Sequence, residues 1–149
     1  FLQKIAHPEI DYLFDVPRAP MICSCDAPQV NRVLTNLLQN AADAIDGRDG
    51  APENLPRGRI DVVLRSTADE FVVEITDNGR GLPKENRNRL TEPYVTHREK
   101  GTGLGLAIVN KIMEEHGGSL TMTDTENGTG AFIRIAFPVS EIRLKTGND

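Results

Sequence analysis

Asn36 and Asn40 stand four residues apart in an apolar-periodic run, and two glycine-rich stretches follow them, Asp77-Asn78-Gly79-Arg80-Gly81-Leu82-Pro83 and Gly101-Thr102-Gly103-Leu104-Gly105-Leu106. The first stretch leaves a strand-like run, Phe71-Val72-Val73-Glu74-Ile75-Thr76, so Asp77 stands at a strand end with a carboxylate able to accept from an exocyclic amine. Gly79 and Gly81 lack a Cβ and let backbone lie flat against a ring. The second stretch runs straight into an apolar helical pattern, where open backbone N–H groups and a helix N-terminus would stabilise an anion. An amine acceptor at one end and an anion cradle at the other describe a nucleotide site, with adenine and phosphates at opposite ends. None of the three groups is specific alone.

Positioning these groups asks for a definite set of elements. Residues 10–16 alternate through Ile10, Tyr12, Phe14 and Val16, a proline-bounded break follows, and residues 21–25 read as a second extended piece. Asp26-Ala27-Pro28-Gln29 supplies an N-cap, an early-turn proline and Gln three residues on, a capping-box pattern that predicts a helix over 27–45. Its stripe of Val30, Val33, Leu34, Leu37, Leu38, Ala41, Ala44 and Ile45 leaves Asn36, Asn40 and Asp43 together on one flank, open to a ligand. Residues 47–58, rich in Gly and Pro, read as a surface loop.

Runs 59–66 and 70–77 alternate across a short turn and predict a hairpin. A brief helix is expected over 84–90 and a longer one over 104–116, stopped by Gly117 and Gly118. Residues 119–123 and 131–137 then pair across a turn containing Asn127-Gly128, and the polar tail 139–149 is expected to be flexible. This order predicts one domain over 1–149, a two-layer α/β (α+β) sandwich whose mixed sheet carries helices on one face. It is not a doubly wound sheet. Gly101 to Gly105 follows no strand and lacks a following Lys-Ser/Thr, which removes the dinucleotide and P-loop readings.

With 17 Lys+Arg against 22 Asp+Glu, a formal charge of −5 and no basic block, nucleic acid is a poor partner. The apolar runs are too short to cross a bilayer, so a soluble cytoplasmic domain is expected. Cys23 and Cys25, two apart in a strand-like piece, are poorly spaced for a disulfide. Neither His7 nor any other Cys completes a usual metal spacing, which favours reduced, structural thiols.

From about Asp26 to Pro138 the sequence resembles the ATP-binding catalytic domain of sensor histidine kinases, within the superfamily shared with gyrase-type ATPases and MutL. The resemblance rests on four motifs in order: an asparagine box (Asn36-Leu37-Leu38-Gln39-Asn40-Ala41), the Asp77 to Pro83 glycine box, Glu92-Pro93-Tyr94, and the Gly101 to Leu106 glycine box. Ala6-His7-Pro8-Glu9-Ile10 and Thr96-His97-Arg98-Glu99-Lys100 are most similar to nitrogen-regulation sensor kinases of two-component systems. The resemblance implies a Bergerat-type ATP-binding fold with ATP and Mg²⁺ as cofactors. Asn40 would then hold Mg²⁺ through its side-chain oxygen, and Asn36 would lie near the phosphate end. Asp77 would accept from the adenine amine, with Gly79 and Gly81 allowing close approach. Residues 91–102 would form a lid from which Arg98 meets the γ-phosphate, and Gly101, Thr102, Gly103, Leu104 and Gly105 would cradle the phosphates. Asn36, Asn40 and Arg98 would thus be the catalytic set.

Each residue also has a plainer reading: Asn36 and Asn40 as solvated helix residues, Asp77-Asn78-Gly79 as a turn, Gly101 to Gly105 as a flexible loop, Arg98 and Lys100 as surface charges. The joint order of the motifs favours the site. In hydrolysing relatives the position of Asn36 typically carries Glu, and an amide cannot act as a general base at neutral pH. A neutral histidine acceptor needs no such base, which favours phosphoryl transfer to histidine over hydrolysis. His7, His97 and His116 lack the helical context of an acceptor, and His116 at a helix end points instead to the helix dipole. The resemblance therefore implies an acceptor on a histidine-containing dimerisation domain outside this chain, a downstream response regulator, and a full-length homodimer anchored in the bacterial inner membrane. The competing readings are an ATPase coupling hydrolysis to a partner and a binding module without catalysis.

Overall fold

A computed structural model of the chain describes residues 7–18, 25–84, 90, 105–126 and 128–138. Five strands form one sheet: β1 (Ile10–Asp15), β2 (Gly58–Ser66), β3 (Glu70–Asp77), β4 (Ser119–Asp124) and β5 (Ala131–Pro138), in the order β1-β2-β3-β5-β4. Two helices, α1 (Ala27–Asp46) and α2 (Gly105–Glu115), cover one face. The two-layer mixed-sheet reading therefore holds. Of the extended piece expected over 21–25, residues 21–24, and of the helix expected over 84–90, residues 85–89, lie outside the described residues, as do the lid over 91–102 and the tail over 139–149; the described ends differ, Cys25 and Lys84 standing in bends and Leu90 in a turn. Cys25 is an exposed free thiol in a bend.

The mixed character comes from one connection. β1 pairs parallel with β2 because α1 crosses between them, whereas β2–β3, β3–β5 and β4–β5 are antiparallel. The β2–β3 turn is closed by Thr67, whose hydroxyl accepts from the N–H groups of Asp69 (3.3 Å) and Glu70 (3.0 Å). Register then aligns Phe14, Val62, Ile75, Ile133 and Met122 in a row across the sheet on the helix side.

Against this face α1 buries Val33, Leu37, Leu38, Ala41 and Ile45, and α2 buries Val109, Ile112 and Met113. Of the alternating apolar residues over 10–16 only Ile10 is buried, while Phe14 in β1 and Val16 just past its end are 44% and 54% exposed, because an edge strand has a neighbour on one side only. The opposite face of the sheet carries ion pairs, Arg59 with Asp61, Arg65 with Glu74 and Arg134 with Glu70, beside the buried Val72 and Ala136.

α1 forms as its sequence dictates. Asp26 has extended backbone and its Oδ1 accepts from the Gln29 N–H at 3.1 Å, capping the helix. The far end closes when the Gly47 N–H donates to the Asp43 carbonyl at 2.9 Å. Residues 47–57 leave it as a loop with one 3₁₀ turn (Pro52–Asn54), tied back by Arg48, which donates to the Ile45 and Pro56 carbonyls.

Candidate nucleotide site

The strand alternation that turns Val73 and Ile75 towards the helices also turns Asp77 there, in register with Ile60. A carboxylate thus occupies a place in an apolar row, only 4% exposed. It is held there by backbone: Oδ1 accepts from the Gly79 N–H at 2.8 Å and the Ala131 N–H at 3.3 Å. Burial pushes the Asp77 carboxyl above the usual carboxylate range, and the two N–H donors offset part of that rise. Among the described residues no hydrogen bond reaches Oδ2, so half of the carboxylate's acceptor capacity remains.

The glycine loop after Asp77 is bolted to α1. The Arg80 N–H donates to the Ala44 carbonyl at 3.0 Å, and a Cβ on Gly79 would stand 2.6 Å from the Ala44 carbonyl carbon. The bare Cα of Gly79 is thus required by the helix, a different cause from the flat ring expected of it. Gly81 is required by its backbone, at φ +84°. Asn78 faces away from the site and finishes the sheet: its Oδ1 accepts from the Arg59 N–H at 2.8 Å and its Nδ2 donates to the Arg57 carbonyl at 2.9 Å.

Residues 36, 40 and 44 follow one another at four-residue intervals, so Asn36, Asn40 and Ala44 share the α1 flank that leads into this loop. Both asparagines are half-buried. Among the described residues, Asn36 Nδ2 is the one buried side-chain nitrogen or oxygen without a hydrogen-bond partner. Such orphans are rare in folded proteins and call for a partner. Asp43, without an expected role, accepts from Gln39 Nε2 at 3.0 Å. Gly105 opens α2 at its N-terminus, while Arg98, Gly101, Thr102, Gly103 and Leu104 lie outside the described residues.

Sequence reasoning missed Gly130. It sits at φ +91°, and a Cβ there would come within 1.9 Å of the Asp77 carbonyl oxygen, so only glycine allows the start of β5 to approach Asp77. Ala131, its neighbour, supplies one of the two donors that hold Asp77. The Gly128-Thr129-Gly130 run before a strand was the available signal.

Residues 25–141 match the family described as histidine kinase-, DNA gyrase B- and HSP90-like ATPases. The chain belongs to that family. Among curated members it is 51% identical over 135 residues to nitrogen regulation protein NtrY of Azorhizobium caulinodans, covering 91% of this chain and 17% of that protein. It is 40% identical over 143 residues to a putative sensor histidine kinase, NtrY-like, of Rickettsia prowazekii, covering 96% of this chain and 22% of the relative. The chain therefore spans about a fifth of the length of these relatives. Among solved family structures, the mycobacterial sensor histidine kinase MprB superposes with a TM-score of 0.76 at 28% identity, covering 92% of this chain and 90% of that one. The catalytic domain of histidine kinase ThkA gives 0.73 at 28%, covering 93% and 84%. The fold class and the family resemblance of the motifs both hold. No helix among the described residues is long and apolar enough to cross a membrane.

Proposed function

We propose that this chain is the ATP-binding catalytic domain of a nitrogen-regulation-type sensor histidine kinase and passes the ATP γ-phosphate to a histidine on a dimerisation domain outside the chain. The observation that carries this reading is the pair of polar groups left unfinished among the described residues, Asp77 Oδ2 and Asn36 Nδ2, reached from β3 and α1 on the helix side of the sheet. Asp77 offers an acceptor fixed by two backbone donors, suited to the adenine amine. The Asn36 amide N–H offers a desolvated donor, suited to an anionic phosphate oxygen. Asn40 would hold Mg²⁺ by its amide oxygen, a hard ligand of the right type, and the ion would neutralise charge on the phosphates.

The chemistry asks little of the protein beyond placement. A neutral imidazole nitrogen attacks the γ-phosphorus, the bond to the β–γ bridging oxygen breaks, ADP leaves, and the imidazole proton passes to solvent. Asn36 is an amide and takes no proton, so a water molecule in the same place would not be activated. Arg98 would meet the γ-phosphate, and Gly101, Thr102, Gly103, Leu104 and Gly105 would line the phosphates. The full-length protein would be a membrane-anchored homodimer that passes its phosphate to a response regulator.

The test is to add the chain and γ-labelled ATP to a separately made acceptor domain and look for acid-labile label. Transfer lost in Asn40→Asp supports the reading. Steady phosphate release by the chain alone, with no label on the acceptor, would replace it with the ATPase reading.

A further inference from the structure

We infer that His116 is a positioning residue for the nucleotide site: its Nδ1-protonated imidazole pins the start of α1 to the end of α2 and so fixes the helix that carries Asn36 and Asn40. The inference rests on the proposed nucleotide function. It starts from a residue that the site does not use and whose two ring nitrogens are nonetheless both engaged.

The Asp26 N–H points at His116 Nε2 from 3.1 Å, across 90 residues of sequence. A backbone N–H only donates, so Nε2 must carry the lone pair. His116 Nδ1 lies 2.8 Å from the Ile112 carbonyl oxygen, which only accepts, so Nδ1 must carry the proton. One tautomer satisfies both contacts, and the other would set N–H against N–H and lone pair against lone pair. The ring plane is fixed from the sheet by Phe137, whose ring meets it edge-on at 84° with centroids 5.9 Å apart.

The backbone holds the imidazole in place. The His116 N–H also donates to the Ile112 carbonyl (3.1 Å), the Gly117 N–H to Glu114 (3.0 Å) and the Gly118 N–H to Met113 (2.8 Å). With Gly117 at φ +67° this is a Schellman stop, and it ends α2 where the ring can reach α1. Gly118 cannot be replaced cheaply, since a Cβ there would lie 2.3 Å from the Ala136 carbonyl oxygen.

The pin matters because it is far from the site. The contact holds the start of α1, and the glycine loop meets the same helix at Ala44, near its other end. Asn40 lies about 20 Å along α1 from Asp26 at ~1.5 Å per residue. A tilt of about 3° would move its amide by about 1 Å, enough to spoil a positioned phosphate contact.

The experiment compares Mg-ATP affinity, by calorimetry on the chain, for wild type, His116→Phe and His116→Gln, with imidazole ¹⁵N shifts recorded for the wild type at neutral pH. His116→Phe keeps ring volume and the Phe137 contact but gives Asp26 no acceptor, and affinity falls about three- to tenfold because α1 is correctly placed in a smaller fraction of free molecules. His116→Gln returns an acceptor oxygen and recovers affinity to within about twofold of wild type. The ¹⁵N shifts report the Nδ1–H tautomer. Unchanged affinity in His116→Phe, no recovery in a folded His116→Gln, or the Nε2–H tautomer would each overturn the inference. If His116→Phe fails to fold, His116→Gln and the tautomer still decide it. Wild-type chain that binds no nucleotide overturns the proposed function instead, and the pin is then read from Asp26 amide exchange, slow in wild type and in His116→Gln.

Discussion

The two ends of the α1–α2 pair are finished differently. At the end formed by Asp26 and His116, the cap side chain, the first backbone N–H of the turn, both imidazole nitrogens and the N–H groups of residues 116–118 all have partners. From the middle of α1 to the glycine loop, and among the described residues, Asn36 Nδ2 is buried without a partner and Asp77 is a buried carboxylate with one oxygen used. A closed hydrogen-bond inventory marks structure. An open one, in groups the fold has gone to the cost of desolvating, marks a place where a ligand completes it.

The strongest way to break this comparison is Asp77→Ala, which should lower Mg-ATP affinity about 100-fold by calorimetry while leaving the Gly79 and Ala131 N–H groups unpaired. Asp77→Asn separates the two roles. It keeps an acceptor for those donors and loses the adenine contact, so affinity falls.

The stability of Asp77→Asn runs the other way. Because burial raises the Asp77 carboxyl above its unfolded value, the native state holds that proton more tightly. Its contribution to stability is present below the unfolded value, is lost as pH rises through the raised folded value, and stays lost above it. Asp77→Asn should therefore melt higher than wild type at pH 8, the gap closing on acidification through the carboxylate range. Equal melting temperatures at pH 8 would show that the carboxylate is not strained by burial.

Next in size is Gly130→Ala. It forces a Cβ against the Asp77 carbonyl at a positive φ and should cost about 2 kcal/mol or more in denaturant unfolding. Asn36→Ala sharpens the contrast between the ends, since it should lower nucleotide affinity about tenfold yet leave stability unchanged or raised by about 0.5–1 kcal/mol, an orphan donor having been removed from a helix. A clear loss of stability would mean that Asn36 has a structural partner. The smallest effect is expected at the closed end, where Asp26→Ala removes the cap to Gln29 and should cost about 1 kcal/mol in thermal or chemical unfolding.

The legible parts of the molecule are those whose causes are local. The cap at Asp26, the apolar stripe of α1, the short turn between β2 and β3 and the glycine stop after His116 each depend on residues within a few positions, and the structure forms each of them. The placement of Asp77 was legible because a carboxylate ending an alternating strand is set on a known face by period two. The sequence points Gly79 towards a ligand ring, whereas the close approach in the structure is to Ala44, brought there by the packing of α1 on the sheet. Gly130 escaped notice because its requirement comes from Asp77, across the sheet.

By itself the sequence determined the order of the five strands and two helices that the structure describes, the α1 flank that carries both asparagines, and the family, since periodicity, capping and motif order are written in neighbouring residues. Only the tertiary structure decided that β1 lies parallel to β2, that the Asp77 carboxylate is held by Ala131, and that His116 meets Asp26. Those contacts join residues 54 or 90 positions apart in the last two cases, and no local propensity encodes them. They arise when helices and sheet bury their apolar faces together, and the backbone groups thus brought side by side must then find partners.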